Sequence, residues 1–139
     1  MMEQPTRGAD APALKYIELK TGFSDDGPAW IARVSVSKSG RTVYFGGKAL
    51  RRAKGLAPGN YVDVQTGDAY WVSGVKKRGT NRHWAGSAKI IVEAAAVPAL
   101  LAHLGETTLD PTRFVVSDAI RPTSPSDFAS VENPKPDAT

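Results

Sequence analysis

Apolar and polar positions alternate with a period of two through much of the chain from Leu14 to Val92. In Leu14-Lys15-Tyr16-Ile17-Glu18-Leu19-Lys20, Ile17 and Leu19 fall on one face and Tyr16 and Glu18 on the other, as in a half-buried strand. Trp30, Ala32, Val34 and Val36 then share a face opposite Arg33, Ser35 and Ser37, the pattern of a strand covering a core. Lys38-Ser39-Gly40 turns the chain into the β-branched and aromatic run Arg41-Thr42-Val43-Tyr44-Phe45, so these two segments predict a hairpin. Gly46-Gly47 ends it through a bulge or a sharp corner.

Lys48 to Gly55 is short and basic, equally suited to one helical turn or a loop, and is read as a connector. Pro58-Gly59-Asn60 is turn chemistry ahead of a short strand, Tyr61-Val62-Asp63-Val64. Thr66-Gly67 separates that strand from Ala69-Tyr70-Trp71-Val72-Ser73, which predicts a tight second hairpin. From there the chain runs through Arg78-Gly79-Thr80-Asn81 into a return strand ending in Lys89-Ile90-Ile91-Val92, a third hairpin with a cationic tip. About six short strands, joined by turns at spacings of roughly 8–12 residues, predict a mainly β fold: a small SH3-like or strongly bent antiparallel barrel. Gly46, Gly47, Gly74 and Gly86 are the places where strands can bend to close it.

After Val92 the texture changes. Ala94 to Leu104 predicts a short helix, with Pro98 in its first turn, Gly105 as its C-terminal cap, and Leu100, Leu101 and Leu104 docking on the barrel. Phe114-Val115-Val116 adds one more strand or packs as a clasp. The expected organisation is a flexible lead over 1–13, a barrel domain over 14–92, a helix and docking segment over 93–120, and a disordered Pro-rich tail over 121–139.

Composition narrows the classes. With 139 residues, 41% hydrophobic and 23% charged, one core of modest depth is expected. The absence of cysteine excludes disulfides and thiolate metal sites, and with no signal-like start the expected location is the cytoplasm. The apolar run from Ala94 to Leu104 is interrupted by Pro98 and His103 and is far short of the roughly 20 residues that span a bilayer, so no membrane span is expected. Charge is unevenly laid out: Lys38 to Lys89 holds eleven Lys and Arg against Asp63 and Asp68, a local +9, while the other 7 basic and 12 acidic residues give −5. A basic middle with acidic ends points to an anionic partner, or to tails that fold back and screen it.

The densest candidate chemistry lies between Tyr70 and Gly86. Lys76, Lys77, Arg78 and Arg82 supply cations for phosphates, and Trp71 and Trp84 offer faces on which bases can stack, Trp84 being the stacker favoured here. The alternative is that both tryptophans belong to the core and the cations keep a hairpin soluble. Arg51 and Arg52, with Lys48 and Lys54, would extend the site if they lay beside the hairpin tip. The expected partner is therefore RNA or DNA, held mainly through phosphates with little base specificity; the alternative is a protein-interaction domain that takes an acidic or peptide partner, its own C-terminal tail included.

An enzyme is the third reading. It would use His83 with Arg82 and Tyr70 or Tyr44, yet His83 has no partner at catalytic spacing and the adjacent arginine disfavours its protonation. Asp25-Asp26 sits in a Gly-Pro loop where carboxylates cap turns. No P-loop, nucleophile elbow or metal-ligand spacing is present in the sequence, so no cofactor and no metal are expected.

At Lys15-Tyr16-Ile17-Glu18-Leu19-Lys20-Thr21-Gly22, Gly27-Pro28-Ala29-Trp30-Ile31, Gly59-Asn60-Tyr61, Tyr70 to Lys77 and Arg82-His83-Trp84-Ala85-Gly86, the chain resembles a family of small, uncharacterised bacterial proteins. The resemblance covers about residues 14–92. Some members carry the label 1-deoxy-D-xylulose-5-phosphate synthase. That enzyme binds thiamine diphosphate in a large multidomain chain, and a chain of 139 residues without a cofactor motif has no provision for such chemistry. The resemblance implies a domain extent and no mechanism.

Overall fold

A computed structural model describes residues 12–20, 28–53, 59–77, 89–121 and 123–128. Six strands close into an antiparallel barrel: β1 (Ala13–Lys20), β2 (Ala29–Val36), β3 (Thr42–Phe45), β4 (Lys48–Arg52), β5 (Tyr61–Asp63) and β6 (Ala69–Ser73). Each pairs with the next in sequence, and β6 closes the ring by pairing antiparallel to β1. Closure leaves none of the six with an open edge along its whole length, which protects so small a sheet from pairing with other chains. Beyond the ring come β7 (Ile90–Glu93), a short 3-10 turn (Ala94–Ala96), helix α1 (Val97–Leu104) and β8 (Phe114–Ser117). Among the described residues no helix is long and apolar enough to cross a membrane.

The interior follows from alternation. Ile17, Ala32, Val34, Val43, Phe45, Leu50, Tyr61, Tyr70 and Val72 form one buried cluster, so each strand contributes its inward phase. At the margin of this core the half-buried Trp30 meets Phe45 with ring centroids 5.3 Å apart. A full side chain of this kind contributes about 1.5–3 kcal/mol when taken out of water. The outer phase of β1 and β2 is buried too: Tyr16, Ala29 and Ile31 pack with Val75, Ile90, Val92, Leu100 and Phe114. A third cluster joins Tyr44, on the outer phase of β3, to Ala49 and Phe128.

Lys48–Arg52, expected as a connector, is strand β4. Gly46 and Gly47 have φ of 60° and 80° and form the two-residue turn between Phe45 and Lys48, which pair with each other. Two consecutive positive φ values are what a type I′ hairpin turn needs, and glycine adopts them at no steric cost. The expected bulge or corner is thus a hairpin, and burial of Leu50 and Ala49 overrides the weak strand propensity of a Lys-Ala-Leu-Arg-Arg run.

The return segment after residue 88 is also placed differently from expectation. β7 does not pair with β6, whose two edges are occupied by β1 and β5. It runs parallel to β2 at Trp30 and Ile31, where β3 has not yet joined that strand, and β8 adds in parallel to β7. Helix α1 starts with Pro98 in its first turn and ends on Gly105 at φ 71°, as expected, and its Leu100 is fully buried. Phe114–Ser117 is a strand rather than a clasp. Arg121 and residues 123–128, at the start of the expected tail, form a strap on the barrel, while the rest of that tail lies outside the described residues: Thr123 Oγ1 accepts from the Gly47 amide at 2.6 Å, and Phe128 is buried beside Tyr44.

Candidate nucleic-acid interface

The outer wall of the barrel is covered unevenly. β7, α1 and β8 cover β1 and β2, and the strap covers part of β3 and β4. On β6, Tyr70 and Val72 point inward at 2% and 5% exposure, so alternation turns Ala69, Trp71 and Ser73 outward. Trp71 is 41% exposed, and the other large apolar side chains exposed among the described residues are Val115 and Val116 of β8.

Register shows what surrounds the indole. Trp71 is paired with Glu18 of β1, while Ala69 is paired with Lys20 on one side and Val62 on the other, and Val62 with Arg51. Arg51, Val62, Ala69 and Lys20 therefore form one row across four strands, and Trp71 stands two residues further along β6. At about 4.8 Å per strand, Arg51 lies about two strand spacings from the row position of Ala69, over a floor of small apolar residues. Glu18 is buried at 1% exposure; Tyr16 donates its hydroxyl to Oε1 at 2.5 Å, and Lys20 Nζ lies 3.3 Å from Oε2. The Lys20 side chain is itself mostly buried, so its charge is engaged with Glu18 rather than offered to a ligand.

The entry to β5 is held tightly against the second half of β6. Asn60 donates through Nδ2 to the Val72 carbonyl at 2.9 Å and accepts from the Val72 amide at 2.8 Å. Gly59 passes so close to β6 that a Cβ there would sit 2.4 Å from the Tyr70 carbonyl oxygen. Past Ser73 the chain is pinned again, since Val75 is buried and its carbonyl lies 2.6 Å from His103 Nε2. Lys76 and Lys77 follow directly and are exposed. Lys77 lines a groove that also holds Glu106, Asp110 and Arg113. Hydrogen bonds from Thr112, side chain first and backbone second, hold the Asp110 carboxyl below its ordinary range.

Of the residues expected to bind nucleic acid, Lys76, Lys77, Arg51 and Arg52 are placed, and Arg78, Arg82 and Trp84 lie outside the described residues. Arg51 is half-buried on the outer phase; Arg52 is exposed but belongs to the phase of Leu50, at the end of the barrel, so the two arginines do not share a face. His83 also lies outside the described residues. Its proposed catalytic partners do not converge: Tyr70 faces the interior, where burial, then Asp63 and Asp68, push its hydroxyl up to about 12, whereas Tyr44 is buried on the outer wall under Phe128. Among the described residues no group of three or more His, Cys, Asp or Glu could hold a metal ion. Sequence reasoning did not anticipate Glu18 as a buried carboxylate, although Tyr16, Glu18 and Lys20 recur at period two on one strand face.

Comparison of the chain with protein-family models, with curated proteins and with solved structures finds no match in any of the three.

Proposed function

We propose that this barrel binds single-stranded nucleic acid on the outer wall of β4, β5 and β6. The observation that carries the reading is Trp71, the largest apolar side chain type, held 41% exposed on a strand whose neighbours are fixed by Gly59 and Asn60. A rigidly mounted indole on an open wall is a platform for a base, and stacking is worth about 1–3 kcal/mol per base without demanding a sequence. Arg51, two strands away, and Lys76 and Lys77, just beyond β6, supply cations for the phosphates on either side. Arg78, Arg82 and Trp84 continue the same basic stretch, and the local charge of +9 between Lys38 and Lys89 supports an anionic partner. A cytoplasmic location fits this reading.

The test is a fluorescence titration of labelled single-stranded and duplex oligonucleotides at several salt concentrations. With about four phosphates neutralised on a single strand, log K should fall against log salt with a slope near −3. Absence of salt-dependent binding at micromolar protein would refute the proposal.

One observation favours a second reading, a peptide-binding domain. The chain's own strap already lies on β3 and β4, with Phe128 against Tyr44 and Ala49 and Thr123 on the Gly47 amide. Recovery of one protein partner by nuclease-treated pull-down, with no oligonucleotide binding, would favour it.

A further inference from the structure

A cleft of about 230 Å³ opens on the side of the barrel where β2 changes partners. β2 is paired with β7 at Trp30 and Ile31 and with β3 at Ser35 and Val36, so the residues between have neither strand on that edge. The chain meets the unpaired amide of Arg33 with a side chain instead: Glu93 Oε1, at the end of β7, accepts it at 2.9 Å. The Arg33 amide at the fork is thus satisfied, and the space between the diverging strands is the cleft.

The strap crosses this fork. Thr123 Oγ1 anchors it on the Gly47 amide, and Arg121 lies across the Gly46-Gly47 turn, its Cδ 3.3 Å from where a Gly47 Cβ would be. Docking brings Arg121 to the wall of the same cleft that Arg33 lines, a residue 88 positions earlier in the chain. Both arginines are exposed, and neither guanidinium has a hydrogen bond or ion pair among the described residues. The hydroxyl residues Ser35 and Thr123 line the same space, with Glu93 as the acid among its described lining residues.

Among the described lining residues two cations face one acid, whose Oε1 is already engaged by the Arg33 amide, so net positive charge opposes the docking that gathers them, and a bound anion reverses that term. Arginine forks match tetrahedral oxyanions in a bidentate manner. The volume is below the usual range of about 300–1,000 Å³ for drug-sized ligands, so the cleft suits a small headgroup rather than a nucleotide chain. We propose that this fork is an oxyanion site for inorganic phosphate or a small phosphomonoester, completed by the strap through Arg121 and Thr123. It lies on β2 and β3 and is independent of the wall that carries Trp71.

The test is an amide-resolved NMR titration of the full chain with inorganic phosphate at constant ionic strength. Saturable shifts are expected at Arg33, Ser35, Gly46, Gly47 and Thr123. Arg33→Gln and Arg121→Gln should each weaken binding roughly tenfold or more, as loss of a charge-assisted pair does. Glu93→Gln keeps the acceptor for the Arg33 amide and removes a negative charge, so it should tighten binding, an effect that a folding defect would not produce. Trp71→Ala should leave these shifts unchanged, which separates this site from the nucleic-acid reading. Shifts that do not saturate, or that are the same in both arginine variants as in the parent, would overturn the proposal; so would weaker binding in a folded Glu93→Gln variant.

Discussion

Tyr16 and Glu18 stand two residues apart on the outer face of β1, fully out of solvent, with the tyrosine hydroxyl donating to the Glu18 carboxylate at 2.5 Å. A buried carboxylate is tolerated only while its oxygens are satisfied, and here one oxygen has Tyr16 and the other Lys20. Tyr16→Phe removes one of these donors and leaves the surrounding packing in place. It should destabilise the fold by about 1–3 kcal/mol, read from the urea midpoint at unchanged m. A loss below about 0.5 kcal/mol would mean that Glu18 does not depend on this bond.

Gly59 and Gly74 bracket the β5–β6 region and should respond in opposite ways. A Cβ on Gly59 meets the Tyr70 carbonyl oxygen at 2.4 Å and its amide nitrogen at 2.9 Å, both backbone atoms in a paired strand. Gly59→Ala must push β6 away or break the pairing, and a loss of about 2 kcal/mol or more is expected. Gly74 has open space and no positive φ, so Gly74→Ala should be neutral or stabilising by up to about 1 kcal/mol through the unfolded chain. Thermal unfolding of the two variants side by side decides the point.

Much of this architecture is legible in the chain because half-buried strands announce themselves by alternation. β1 and β2 are visible that way, β3 through its β-branched and aromatic run, β5 and β6 through the turn residues Pro58-Gly59-Asn60 and Thr66-Gly67 that bound them, and α1 through its Pro98 start and Gly105 stop. β4 is not visible, since Lys48, Ala49, Arg51 and Arg52 have little strand character and only Leu50 points into the barrel interior. The local signal that could have found it is Gly46-Gly47, a two-residue hairpin turn between two extended runs. The position of β7 is a matter of long-range pairing: β6 is closed off by β1, some 50 residues earlier, and no local pattern records that. The candidate site is legible in charge and composition but not in orientation, because whether Trp71 faces in or out depends on the phase of β6 and on which walls other elements cover.

Tyr70 links the core to alkaline stability. Its hydroxyl is pushed from 10.0 up to about 12, first by burial and then by Asp63 and Asp68, so the folded state holds this proton more tightly than the unfolded chain does. The resulting stabilisation is fully present below about pH 10 and is lost as pH rises from there through about 12. Two units correspond to about 3 kcal/mol at most. Tyr70→Phe has no proton to lose, and its stability should fall less steeply than that of the parent over this window. Denaturant midpoints of both proteins at pH 9 and near pH 11.5 provide the measurement; parallel losses would show that Tyr70 titrates normally.

Trp71 allows function to be separated from folding, because its side chain is substantially exposed while the inward residues of the same strand, Tyr70 and Val72, carry the packing. Trp71→Ala should therefore change stability by less than about 1 kcal/mol, in the range of surface substitutions with some apolar contact. If a base stacks on the indole, the same substitution should weaken single-stranded oligonucleotide binding by roughly tenfold to a hundredfold, with the salt slope unchanged because no phosphate contact is lost. Lys76→Gln with Lys77→Gln should do the reverse: a smaller salt slope, by about 1.4 for two single-strand phosphate contacts, and stacking retained, seen as persistent quenching of tryptophan fluorescence by bound bases. A Trp71→Ala protein that folds normally and binds oligonucleotides as tightly as the parent would remove the indole from the interface and move the site toward the basic residues beyond Lys77.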